Sequence, residues 1–314
     1  MTRHEHQRRA SISMLMGAAL IGTNGLMVRF AETPPTVSAF WRMLFAGIML
    51  TLYVFATRGW QPLPRRAWLW ALVPAAAFAA DLWLWHRSIL LVGPGLATLL
   101  ANAQVFFMAL AGVMLFRERP GLRFLSGIAL AFFGLWLMLG GAWDTLPAEY
   151  RWGVWLGLAT GVCYAAYNLT LRRAQHEAHA SGERAAEPHS STVEQVLAIA
   201  SLGCALLLGM AGWAEGASFA IPSWRSLSIL LILAGVGHCL SWVLISRAMP
   251  HLPVALIGLL LLLQPIVAFL LDVGLLDRVT TTREWLGLAF SLAGIFVAGL
   301  KAAGRDPPYQ SGVA

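Results

Sequence analysis

Long apolar runs separated by short polar turns follow one another almost without interruption along this chain. Each is near the roughly 20 residues that cross a hydrocarbon layer as a helix. They predict helices at about 11–30, 35–57, 67–91, 94–116 and 121–141, with the short turn RGWQPLPRR after the second. After AWDTLPAEYR the pattern resumes and predicts five more, at about 152–172, 192–213, 224–248, 252–276 and 283–303. The expected fold class is an all-α integral membrane protein with ten transmembrane helices.

The run over 91–120 carries one amide, Gln104, near its centre, and a shift of 160 positions lands on a second such run with Gln264. The same shift pairs Arg87 with Arg247, Gly127 with Gly287 and Gly134 with Gly294, so 77–141 is echoed by 237–301 without a gap. The period is far longer than in solenoids or propellers and points to two large halves. With five helices each, the halves start on opposite sides of the membrane and are expected to be inverted repeats, an arrangement that permits alternating access. The organisation expected is residues 1–141 as the first repeat with its N-terminal tail and 142–172 as the lead-in and first helix of the second. Residues 173–191 then form a cytoplasmic linker, and 192–314 supply the other four helices and a C-terminal tail.

Composition sharpens the class: 58% of residues are hydrophobic and 12% charged, against about 25% charged in soluble domains. The net charge of +7 does not point to nucleic acid, because the basic residues stand at the ends of apolar segments. Fifteen Lys and Arg fall on the face that holds both termini and six on the other, with Arg42 inside a segment. The excess of positive charge places both termini in the cytoplasm of a cell (plasma or inner) membrane protein. The tail with Arg3, Arg8 and Arg9 could pass for a signal peptide, but the apolar segment behind it exceeds the usual core of about 7–15 residues. Cys163, Cys204 and Cys239 each sit in an apolar segment and read as small buried hydrophobes. His176, His179 and His189 belong to a solvated linker rather than a metal site. No metal or cofactor is expected.

The ten segments, the two five-helix repeats and the stretch FRERPGLRFLSGIALAFFGLWLMLGG together resemble the EamA-type drug/metabolite transporter superfamily. Glu118-Arg119 after the fourth helix, with Gly127 and Gly134 in the fifth, match that family's pattern over roughly 11–303. The second half departs from it with Asp277-Arg278. Val105 stands where many members have proline, which Pro265 supplies only in the ninth helix. The resemblance implies transport; similar proteins export amino acids, nucleotide-linked metabolites or toxic cations.

Depth within the helices selects the candidates for chemistry. Gln104, Gln264, Asn24, Tyr164 and His238 fall near mid-membrane, where polar groups are costly unless they face water or one another. The two glutamines are expected to line a wet cavity; the alternative is interhelical hydrogen bonding. For Asn24, inside GTNG, both readings stand open. His238 is either a buried histidine bonded to a carbonyl or a transport residue, and Pro265 is expected to kink the ninth helix. Asp81 and Arg42 lie at similar depth, so Asp81 is a structural ion pair, a proton-coupling site or an anchor for the cargo's charged end. Trp85 shares its helical face. Asp272 is a second coupling candidate. Gly127, Ala131, Gly134 and their counterparts Gly287, Ser291, Gly294 form small-residue faces for close contact within one chain or between two copies in a homodimer.

These readings converge on a secondary transporter in contact with membrane lipid, exporting a small-molecule cargo by alternating access, with proton or exchange coupling. The chain has no glycine-rich nucleotide loop. An amino acid or related zwitterion is the first choice, and a hydrophobic or quaternary cation held by Tyr164, Tyr167 and Trp242 the alternative. An intramembrane enzyme using Asp81 and His86 is disfavoured, since residues five apart on a helix point about 140° apart.

Overall fold

The computed structural model describes residues 3–57, 59–60, 62–63, 65–108, 110, 121–139, 143–182, 191–252 and 260–299. In chain order the helices are α1 (Glu5–Phe30), α2 (Pro35–Thr57), α3 (Arg65–Val92), α4 (Pro94–Met108), α5 (Leu122–Leu139), α6 (Ala148–Gly182), α7 (Ser191–Ala214), α8 (Trp224–Ala248), α9 (Leu263–Leu275) and α10 (Thr282–Gly299). Among the described residues, α1, α2, α3, α6, α7 and α8 are the six long and apolar enough to cross a membrane. The predicted fourth and ninth helices, 94–116 and 252–276, fall partly outside the described residues. So do Glu118-Arg119 and the side chains of His176, His179 and His189.

Hydrophobic side chains such as Leu52, Phe55, Phe132, Trp155 and Leu206 are exposed. That is the surface a lipid-facing protein presents, since hydrocarbon removes the usual penalty for exposed apolar groups. Buried positions are crowded with small residues, among them Ala18, Ala46, Ala71 and Ala75. Helices in lipid gain little from hiding apolar surface, so close van der Waals packing holds them together.

Two pairs of helices show how the halves meet. A side chain at Gly134 of α5 would stand 2.5 Å from the Gly287 carbonyl oxygen of α10, and one at Gly294 the same distance from that of Gly127. Gly127 pairs with Gly287, and Gly134 with Gly294, at the 160-residue shift, so these helices are counterparts packed antiparallel. In α2 and α7, Gly47 sits under Leu202 and Gly209 under Phe40. Gly47 and Gly209 are 162 positions apart, as are Phe40 and Leu202. This contact too is its own image under exchange of the halves.

Irregularities recur in the same way. α4 turns at Asn102–Ala103, and the segment before α9 turns at Leu262, again 160 positions on. Gln104 and Gln264 each follow their break by one or two residues. Pro265 therefore stands in the first turn of α9, where its missing N–H is harmless, and the expected kink is instead the turn just ahead of it. α1 is interrupted at Thr23, inside GTNG. α8 contains a π-helical turn, Gly235–Leu240; such turns concentrate at functional sites. α6 runs on to Gly182, so the expected linker from 173 begins as helix.

Gly134→Ile is expected to force α5 and α10 apart and destabilise the protein by about 1–3 kcal/mol. Gly274→Ala, with nothing within 4 Å of the added carbon, is the control. Thermal unfolding of both variants in detergent checks the difference.

Candidate functional site

α1, α2, α3, α4, α6, α8 and α9 enclose a cavity of about 40 Å³ whose wall includes Asn24, Arg42, Asp81, Tyr164, Trp242 and Gln264. Six of the nine residues selected from sequence thus meet in one place. Thr98, Asn102 and Thr160 complete the polar wall. Sequence reasoning missed these three, although Thr98 and Asn102 interrupt the same apolar run as Gln104 and carry the same signal.

The wall is built but not satisfied. Asn24 Oδ1, Arg42 Nε and Nη1, Asp81 Oδ1, Thr98 Oγ1, Asn102 Oδ1 and Gln264 Nε2 are buried without a hydrogen-bond partner among the described residues. Nor do Arg42 and Asp81 form a salt bridge with each other; Arg42 instead lies 5.8 Å from the Trp85 ring centroid. The structural ion pair, one of three readings of Asp81, is therefore not formed. The two still interact electrostatically across the cavity, without the direct hydrogen bonds that would offset their burial.

Each polar group owes its place to a local irregularity. Asn24 follows the break in α1, and its Nδ2 donates to the Gly237 carbonyl at 2.8 Å. Gly237 lies in the π-turn, and a Cβ there would collide with Asn24 Oδ1. Asn102 donates back to the Thr98 carbonyl at 2.8 Å, securing the turn in α4. Tyr164 and Gln264 both line the cavity, whereas Gln104 is not among its lining residues. Asn168 donates to Gln104 Oε1 at 2.8 Å. Both glutamines are 2% exposed, but only Gln264 reaches the cavity; Gln104 is taken up by Asn168 instead.

Behind the cavity stands an aromatic wall. Phe78 stacks on Tyr167 with centroids 4.2 Å apart, and Trp242 meets Tyr167 edge-on at 5.0 Å. His238 belongs to this layer: its Nε2 lies 3.2 Å from Ser201 Oγ, and it is not among the residues lining the cavity. His86 is also buried and away from that lining, so Asp81 and His86 do not face a common substrate atom. The two charges of the cavity occur in the first half alone. The counterpart of Asp81 is Ser241 at the 160 shift, and that of Arg42 is Cys204 at the 162 shift of α2 and α7.

Asp272 is placed elsewhere. It lines a second, larger pocket of about 320 Å³ with Arg29, Tyr150 and Arg278. There its Oδ2 accepts from the Gly95 N–H at 3.2 Å and from Arg278 Nη1 at 3.1 Å. It thereby fastens the first turn of α4. Gly93 is required beside it, because φ there is +87° and a Cβ would stand 2.9 Å from the carboxylate. Asp277 at φ 49° turns the chain so that Arg278 folds back, and Arg278 Nη2 also reaches Glu284 at 2.9 Å. Burial alone would lower the Arg278 pKa, but Tyr150, Asp272 and Glu284 outweigh it and raise it. Arg278 stays charged.

Comparison with known proteins follows the same outline. The family described as the EamA-like transporter family matches twice, over residues 8–140 and 151–300. The threonine/homoserine exporter RhtA of Salmonella typhimurium is 28% identical over 211 residues, 67% of this chain and 64% of the relative. An uncharacterized transporter of Haemophilus influenzae is 22% identical over 170 residues, 53% of this chain and 51% of the relative. The matches thus span between half and two thirds of these relatives' length. A solved crystal structure superposes with a TM-score of 0.64 at 17% identity, covering 97% of this chain and all of the other. That likeness is one of fold.

Asp272→Asn is expected to remove the buried pair with Arg278 and cost about 3 kcal/mol. The pH dependence of transport should stay as it was. Thermal unfolding and a pH series of flux measurements check the two halves of this statement.

Proposed function

The chain belongs to the EamA-like transporter family, and we propose that it exports a small zwitterionic metabolite, of which amino acids are the representative class, by alternating access. The observation that carries this reading is the set of unpartnered polar atoms around one buried cavity. Arg42 and Gln264 Nε2 offer donors suited to a carboxylate. Asp81, Asn24 Oδ1 and Asn102 Oδ1 offer acceptors suited to an ammonium group. A zwitterion neutralises both charges at once, whereas a lone cation or anion leaves one of them exposed to a low dielectric.

Ten spans in two inverted repeats are part of the proposal, supported by the antiparallel packing of counterpart helices and the matched breaks in α4 and before α9. Both termini are assigned to the cytoplasm of a cell membrane on the distribution of Lys and Arg. Outward movement is supported by the likeness to RhtA, a threonine/homoserine exporter. A cavity of about 40 Å³ is far below the roughly 300 Å³ at which small-molecule pockets begin. Cargo entry therefore requires the helices to part, and the form described here is contracted around the site. Energy comes from an ion gradient or from exchange. The aromatic wall of Phe78, Tyr167 and Trp242 favours one second reading, a hydrophobic cation held against ring faces.

Proteoliposomes preloaded with a panel of labelled amino acids test the proposal. Protein-dependent release of at least one is expected, and a panel without any overturns it. Arg42→Gln and Gln264→Ala should each slow release tenfold or more, equivalent to about 1.4 kcal/mol. Under the cation reading, Arg42→Gln speeds efflux of tetraphenylphosphonium instead. If Asp81 carries the coupling proton, Asp81→Asn abolishes pH-driven accumulation while exchange survives; if it holds the cargo's ammonium, both are lost.

A further inference from the structure

The two ends of α7 are held by arginines that are counterparts in the two halves. At one end Arg87 Nη2 lies 2.7 Å from Glu215 Oε1, just past the last turn of α7, and 2.9 Å from Thr36 Oγ1 in the first turn of α2. Thr36 donates to Glu215 Oε2 at 2.7 Å, Trp83 donates to Oε1 at 2.8 Å, and the Arg87 guanidinium sits 3.8 Å over the Trp83 ring. At the other end Arg247 Nε lies 2.8 Å from Glu194 Oε1, in the first turn of α7, with the Tyr53 side chain near the end of α2 close enough to act on the same guanidinium. Arg87 and Arg247 are related by the 160 shift, and Glu215 and Tyr53 by the 162 shift that superposes α2 on α7. Each arginine therefore bridges the start of one of these helices to the end of the other.

The 21 positions from Glu194 to Glu215 correspond to roughly 31 Å of helix, so the clusters stand at opposite faces of the bundle. Between them α2, which carries Arg42, packs on α7. Both clusters are formed in this structure, and the cavity between them is contracted. Burial tends to raise the Glu215 pKa, but the hydrogen bonds from Thr36 and Trp83 and the charge of Arg87 outweigh it and hold it below the usual carboxylate value. The carboxylate stays ionised at neutral pH.

We propose that Arg87–Glu215 and Arg247–Glu194 are the paired latches of alternating access: each closes one face of the bundle, and each must part for the cavity to open on its own side. This rests on the transport reading above, which it extends by naming the positioning residues for the two openings. Exchange of the two halves carries Arg87 onto Arg247 and Glu215 onto Tyr53, but Glu194 onto Glu32, which pairs with Arg225 instead; the two faces are thus closed by equivalent arginines acting on different carboxylates. Loss of a latch should then bias the protein toward the face it closed.

The test uses full-length protein with Cys163, Cys204 and Cys239 replaced by alanine and a single probe, Thr160→Cys, in the cavity wall. A membrane-impermeant thiol reagent is applied to right-side-out and inside-out vesicles. Glu215→Gln is expected to raise labelling several-fold from outside only, and Glu194→Gln from inside only. Unchanged labelling in both variants, or a rise on the same side in both, overturns the proposal. The exchanged pair Arg87→Glu with Glu215→Arg should return labelling toward its starting level; general loosening of the fold would raise labelling from both sides and is not reversed by the exchange. Because labelling is read without flux, a protein that opens as described but moves none of the tested amino acids leaves the latches standing and removes the cargo assignment.

Discussion

The high cost of an unsatisfied polar group in hydrocarbon governs the rest of this structure. Backbone amides are consumed by helices, and the polar side chains that remain must find partners or water. Most are local, such as Thr51 to the Gly47 carbonyl and Thr170 to that of Ala166. Arg42, Asp81, Asn24, Asn102 and Gln264 keep atoms free instead, and all five line one small buried space. With Thr98 they hold half of the unpartnered buried side-chain atoms among the described residues, and it is this grouping around one space that the proposed binding site rests on.

The breaks in the helices follow from the same constraint. A turn inside an apolar helix frees carbonyl and amide groups that lipid cannot satisfy, so it is tolerated only where protein or a wet cavity receives them. The turns at Asn102–Ala103, Leu262 and Thr23 and the π-turn at Gly235–Leu240 all lie beside or just behind the cavity. Asn24 ties two of these irregular places together through the Gly237 carbonyl. Glycine at 237 is then a requirement of close approach rather than of backbone conformation.

Much of this was legible in the chain. Long apolar runs located the helices, because hydrocarbon thickness sets their length. The 160-residue echo located the two halves and the glutamine couple, since a duplicated fold keeps counterpart positions in counterpart places. Depth alone gathered Asn24, Arg42, Asp81, Tyr164 and Gln264, but it does not report which side of a helix faces inward. For that reason His238, at mid-membrane, turned out to belong to the aromatic layer with Ser201, and Asp272 to a separate pocket with Arg278. The ion pairs of Glu194 and Glu215 were not foreseen, because a carboxylate at a helix end reads as ordinary surface until its partner from a distant helix is known. The turn at Asn102 was hidden for a related reason: an asparagine in an apolar run marks polarity without marking where the backbone bends.

Arg42 and Asp81 break, inside the cavity, the symmetry that the helix scaffold around it follows. Asp81 faces Ser241 across the repeat relation and Arg42 faces Cys204, so the scaffold has two equivalent halves but its electric field has one direction. Under the proposed transport of a zwitterion, the guest keeps a single heading relative to the bundle, whichever mouth it enters or leaves by. Loading and unloading would present the same enantiomer to the same wall, and chiral selection would be made once, in the interior, independently of the side that happens to be open.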